Sequence, residues 1–175
     1  MAKKQIIIVD GYNVIGSWPN LSKLKNQNHL SQARDELLHV LAEYRKIEDV
    51  RMIVVFDAMY VPGVKETFNV FDLEVVFTPE DQTADSYIEA LSGELNSPLN
   101  TVTVVTSDQA EQWTIFSRGA YRIPSSEFKT RIDNVKKEID VDVKKHYDRQ
   151  ITRNSPWSDE QLLQLKEMMN KKDQS

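Results

Sequence analysis

Gln5-Ile6-Ile7-Ile8-Val9-Asp10-Gly11-Tyr12-Asn13 is the stretch that decides the fold. Its four consecutive β-branched residues, Ile6 to Val9, read as a strand buried on both faces, as in a parallel sheet covered by helices on either side. The run ends on a carboxylate followed by glycine. That is the edge at which open α/β sheets place their ligands.

The same punctuation recurs along the chain. Arg51–Phe56 reads as a strand ending in Asp57, and Thr101–Thr106 reads as another, followed by Ser107 and Asp108. Asp72–Phe77 and a brief Ala120–Ile123 complete the predicted strands. Between them lie helical patterns. Gln32–Lys46, with Ser31 as N-cap, puts Ala33, Leu37, Leu38, Leu41 and Tyr44 on one face, and Ala84–Leu95 follows Thr83 as its cap. Gln109–Ser117 reads as a short helix. Pro124-Ser125-Ser126 opens a long helix reaching about residue 149, and Ser158 with Gln161 forms a capping-box pattern before a last one. Gly11 to Leu30, punctuated by Gly16, Trp18, Pro19 and Asn20, and Ala58 to Val70 read as irregular connections. Strands alternating with helices predict an α/β fold, a three-layer α/β/α arrangement around a mostly parallel sheet of about five strands. The expected organisation is a domain over 1–153, carrying the long basic helix at 125–149, and a helical extension over 154–175.

The chain has 175 residues, 40% hydrophobic and 28% charged, which suits one folded domain rather than a disordered segment. It has no cysteine, so disulfides, thiol catalysis and thiolate metal sites are excluded. The apolar run after Lys3-Lys4 stops at Asp10, too short for a signal core, and no stretch is long enough to span a bilayer. A soluble, cytoplasmic protein without a membrane partner is the expectation. The net charge of −5 is unevenly spread: from Arg118 to Arg153 there are ten Lys/Arg against six Asp/Glu. A solvated helix face would account for that bias, and so would a surface that grips phosphates.

Each aspartate has a local explanation. Asp10 and Asp57 could shape turns, Asp108 begins a capping-box pattern, and Asp85 lies in the first turn of its helix, where the macrodipole favours it. Their convergence is more telling. Two like charges ~4 Å apart at an effective dielectric of 20 repel by about 4 kcal/mol, so a shared edge calls for protons or a cation. Carboxylates without cysteine or clustered histidine suit Mg²⁺ or Mn²⁺, one or two ions, rather than zinc. Such a site activates water for phosphodiester hydrolysis. Asn13 could orient the water or an aspartate, or could simply close an Asx-turn; Thr106 and Ser107 offer hydroxyls beside Asp108. The second acid that receiver domains and haloacid-dehalogenase-type phosphatases place after strand one is missing, and there is no Walker or GxGxxG loop.

Asp10-Gly11-Tyr12-Asn13-Val14-Ile15 resembles the NYN-domain ribonucleases, a branch of the PIN-like nucleases, and specifically their bacterial YacP-like members. Ala33-Arg34-Asp35, Val54-Val55-Phe56-Asp57-Ala58, Thr83-Ala84-Asp85 and Thr106-Ser107-Asp108 with Glu111-Gln112-Trp113 match in order and spacing, over about residues 5–150. The resemblance implies that Asp10, Asp57, Asp85 and Asp108 bind metal, with Asn13 as a polar site residue and Arg34 as a phosphate contact or only a surface charge. It implies cleavage of single-stranded RNA, with the ribosome and mRNA decay as the setting.

The leading expectation is therefore a Mg²⁺- or Mn²⁺-dependent endoribonuclease whose activated water attacks in line, leaving 5′-phosphate and 3′-hydroxyl ends. Lys65, Ser107, Lys129, Arg131, Lys136, Lys137, Lys144 and Lys145 are the further candidates for RNA contact. Trp18, Tyr60 and Phe68 could stack on bases or anchor loops in the core. A non-catalytic RNA- or ribosome-binding module on the same fold, and a small-molecule phosphohydrolase, are the alternatives.

Overall fold

The computed structural model describes residues 3–58, 67–108, 118–154 and 159–172. Its strands are β1 (Lys4–Asp10), β2 (Arg51–Phe56), β3 (Thr67–Val70), β4 (Leu73–Phe77), β5 (Asn100–Val105) and β6 (Tyr121–Ile123). Its helices are α1 (Gly11–Ser17), α2 (Pro19–Asn26), α3 (Leu30–Ile47), α4 (Ala84–Leu95), α5 (Ser125–Asn154) and α6 (Asp159–Lys172). The sheet order is β3-β4-β2-β1-β5-β6, with every pairing parallel except β3 against β4.

The β-branched runs do what their composition demands. Ile6, Ile8, Ile53, Val55, Val102 and Val104 form one core with Ala84 and Ile88 of α4. The alternate residues Ile7, Val9, Met52, Val54 and Val105 are equally buried, on the opposite face. There α1 packs on β1 and β2, and α3 on β4. The result is the expected three-layer α/β/α sandwich.

Two connections differ from expectation. Gly11 to Leu30 is not irregular: it folds as α1 and α2, joined at Trp18, which caps the end of the first and the start of the second. Pro19 occupies the first turn of α2, where its missing N–H costs nothing, so the breaker signals mark a junction and not a loop. α3 then starts at Leu30 with His29 as N-cap, so Ser31 lies inside its first turn. Thr67–Val70, read as the end of a loop, is an antiparallel edge strand turning into β4 through Phe71 and Asp72, both at positive φ. The expected Gln109–Ser117 helix and the Ser158 cap lie outside the described residues.

By compactness the chain divides into Met1–Asp133 and Asn134–Ser175, a boundary inside α5. The first unit holds the sheet. In the second, Val141, Val143, Leu163, Met168 and Met169 are exposed. Among the described residues no helix is long and apolar enough to cross a membrane.

Candidate active site

From β1 the chain moves to β2 on one side, and after β4 it crosses by α4 to β5 on the other. A crevice therefore opens beyond the carboxyl ends of β1 and β5, the topological switch point. Asp10 is the last residue of β1, and the register Val9 with Val105 sets Thr106 beside it. Asp10 has the parity of Ile6 and Ile8, so it faces the α4 side.

That position is a poor one for a lone negative charge. Asp10 is only 7% exposed. Burial first, then the charge of Asp85, push its carboxyl up to about 7, with Asp108 adding to the push. The Asn13 backbone N–H and the Thr106 hydroxyl pull the other way, although no capping hydrogen bond to α1 closes from the Asp10 side chain. Thr106 Oγ1 lies 3.5 Å from Asp10 Oδ2, a long contact, and accepts from the Asp108 N–H at 3.2 Å. One hydroxyl thus joins the two acids.

Asp85 enters from the first turn of α4, whose N-cap Thr83 accepts from the Ser86 N–H at 3.2 Å. Asp57 stands at the same helix start, its Oδ2 3.4 Å from the Ala84 N–H. The sheet and α4 so bring Asp85 and Asp108 within electrostatic reach of Asp10 and set Asp57 beside the helix that carries Asp85. Among the described residues no group of three acids stands close enough to hold an ion in this arrangement. Mg²⁺ keeps several waters and is commonly held by one or two carboxylates plus substrate phosphates, so the donor set fits a hard cation by chemistry without forming a closed cage.

Asn13 is engaged through its side-chain oxygen, which accepts from the Ser107 N–H at 2.8 Å and from Ser125 Oγ at 2.9 Å. Ser107 Oγ accepts in turn from the Ser125 N–H at 3.1 Å. Arg34 donates to the Tyr12 hydroxyl at 3.1 Å, and the Tyr12 ring lies 5.1 Å from that of Phe56. Gly11 is required by this packing, because a Cβ there would run into the Phe56 ring. Trp18 is buried and donates Nε1 to the Ser125 carbonyl at 2.9 Å, so it anchors the core and is not presented to a base.

Of the basic candidates, Lys129 pairs with Asp133 at 2.9 Å, and the Arg131 guanidinium acts on the buried Tyr44 hydroxyl. Lys136, Lys137, Lys144 and Lys145 belong to the second unit, all on α5. Lys65 and Tyr60 lie outside the described residues. Sequence reasoning missed Arg122, whose Nε donates to the Thr106 carbonyl at 3.0 Å, and the buried Ser125, taken only as a helix opener. A serine at a strand-to-helix junction beside the ligand edge was the available signal for the second.

A cleft of about 920 Å³ lies at the other end of the sheet, lined by Lys4, Arg45, Asp49, Arg51, Glu74 and Asn100 among others. Its charges are mixed, Arg51 and Glu74 pair at 2.9 Å, and Arg45 sits in the last turn of α3, where a cation suits the helix dipole. Asp10, Asp57 and Asp108 follow the carboxyl ends of the strands, at the opposite edge.

Residues 7–170 match the YacP-like NYN domain. The chain belongs to that family. The match reaches beyond the expected limit near residue 150 and takes in most of α6. This NYN-domain chain is 42% identical to the protein YacP of Bacillus subtilis (strain 168) over 140 residues, 80% of this chain and 82% of that protein. It is similar to two crystal structures of Rae1 (YacP) from Bacillus subtilis. One, of a tryptophan-to-leucine mutant, is 39% identical with a TM-score of 0.71, covering 90% of each chain. The other is 38% identical with a TM-score of 0.70, covering 96% of this chain and 95% of that one. The NYN domain is a nuclease-like fold of the PIN class, and its switch-point crevice is where this chain carries its acids.

Proposed function

We propose that the protein is a metal-dependent endoribonuclease acting on single-stranded RNA, mRNA in the setting of the ribosome. The observation that carries this reading is Asp10 at the end of β1 within electrostatic reach of Asp85 and Asp108, where burial first and then the charge of Asp85 push its carboxyl up to about 7. A buried carboxyl with other acids in electrostatic reach suits a cation, here Mg²⁺ or Mn²⁺, one or two ions. When bound, the ion would supply an activated water and charge stabilisation at phosphorus. Asp10 and Asp108, joined through Thr106, would hold it from the sheet, with Asp85 from α4 and Asp57 beside it. Arg34 and Ser107 would contact RNA close to that edge. Lys65, Lys129, Arg131, Lys136, Lys137, Lys144 and Lys145 are the further candidates for phosphates.

A second reading, a non-catalytic RNA- or ribosome-binding module, draws support from the open spacing of the acids among the described residues. Labelled single-stranded RNA incubated with the protein, with and without Mn²⁺ and beside Asp10→Asn, separates the two. The expected outcome is cleavage lost on chelation and slowed on the order of a thousandfold in the variant. Cleavage that survives both would overturn the proposal. Binding without cleavage, on free RNA and on ribosomes alike, would favour the module, and turnover of small phosphate esters alone would favour a phosphohydrolase.

A further inference from the structure

The loop that carries Asp108 is held by a junction of Asn13, Ser107 and Ser125. Ser125 lies at the start of α5, fully buried, with all three of its polar groups engaged outside its own helix. Its N–H donates to Ser107 Oγ at 3.1 Å, its hydroxyl to Asn13 Oδ1 at 2.9 Å, and its carbonyl accepts Trp18 Nε1 at 2.9 Å. The same Asn13 oxygen takes the Ser107 N–H at 2.8 Å. Segments about a hundred residues apart in sequence thus meet at one amide oxygen and one serine.

Ser125 is the first residue of α5, and Pro124 before it takes the N-cap place, its carbonyl accepting the Phe128 N–H at 3.0 Å. Its hydroxyl donates to Asn13 from beyond the N-cap position, so capping does not explain it. Asn13 follows Asp10 by three residues, and Ser107 sits between Thr106 and Asp108. A hydroxyl at this junction therefore sets the spacing between the acid that ends β1 and the acid that follows β5.

We infer that Ser125 is a positioning residue: through Asn13 and Ser107 it holds the Asp108 loop in register with Asp10. The consequence for cleavage rests on the nuclease reading above; the geometric role does not. Losing the hydroxyl leaves Asn13 Oδ1 with one donor, so the amide can turn and the loop can shift while the core keeps its packing. Small misplacements of this kind cost rate far more than stability.

The test compares Ser125→Ala and Ser125→Thr with the wild type, by amide hydrogen exchange, thermal melting and single-turnover RNA cleavage with Mn²⁺. In the alanine variant the Ser107 amide is expected to exchange about tenfold faster, the scale of one lost hydrogen bond, while the amides of β1 and β5 stay as they were and the melting temperature falls by only a few degrees. Cleavage slows about tenfold. Threonine, which keeps the hydroxyl, restores both rates. Unchanged exchange at Ser107, exchange that quickens equally across β1 and β5, or a folded threonine variant as impaired as alanine would each overturn the inference. A wild type that does not cleave would overturn the nuclease reading, and the exchange result would still decide the role of Ser125.

Discussion

A carboxyl at the end of a buried strand has nowhere to put a negative charge unless a cation comes with it. Asp10 is in that position, and its raised value of about 7 against an ordinary 3.8 has a thermodynamic consequence. Between those values the folded chain binds more protons than the unfolded one, so stability falls as pH rises through the window and levels off above about 7. The loss is a few kcal/mol, about 4 at most. In chelator, then, the wild type should melt lower at pH 8 than at pH 5. Asp10→Asn, which cannot ionise, should melt higher than the wild type at pH 8, with a smaller gap at pH 5 that closes only below about pH 4. A wild type that gains stability over that interval would contradict the burial argument. Adding Mn²⁺ at pH 8 should raise the wild-type melting temperature and leave the variant nearly unmoved. The four aspartates were legible in the sequence because strand ends and helix starts declare themselves. The bonds that steady them were not: Thr106, Ser125 and Arg122 act through chain segments far apart in sequence, and no local pattern reports such contacts.

Among the elements, α4 does most to assemble the site, since its first turn brings Asp85 to the edge and its N-cap holds that turn in place. Thr83→Ala removes the oxygen that receives the Ser86 N–H and should cost about 1 kcal/mol in denaturant unfolding. RNA cleavage should fall with it, because the start of α4 frays where Asp85 sits; full activity in a variant shown to be destabilised would separate Asp85 from the reaction. This helix, its cap and its stripe were readable from period and punctuation. α1 and α2 were not, because a glycine and a proline near a shared cap look like a loop when their positions within helical turns are unknown. β3 escaped for a related reason. Its turn uses Phe71 and Asp72 at positive φ, where Asn-Gly or Asp-Gly is the usual signal of a two-residue hairpin.

Over the whole molecule the charge is divided: −5 in total, with ten basic residues against six acidic between Arg118 and Arg153. If the α5 lysines contact RNA, replacing Lys136, Lys137, Lys144 and Lys145 by glutamine should weaken binding uniformly across RNA sequences. The slope of log affinity against log salt should flatten by about 0.7 per lysine in contact. Fluorescence titrations at several ionic strengths measure it, and an unchanged slope would remove these lysines from the interface. The parallel sheet and the shared acidic edge could be argued from chain order alone. The strand order and the antiparallel edge required the folded chain, since side-chain period says which face a residue joins but not which strand lies beside it. That edge has a further effect. One border of the sheet is β3, four residues long and running against its neighbour; the other is β6, only three residues long. Among the described residues a second copy of the chain finds little edge backbone to extend, so short borders guard a sheet made of strongly aggregation-prone isoleucine and valine runs against growing edge to edge into filaments.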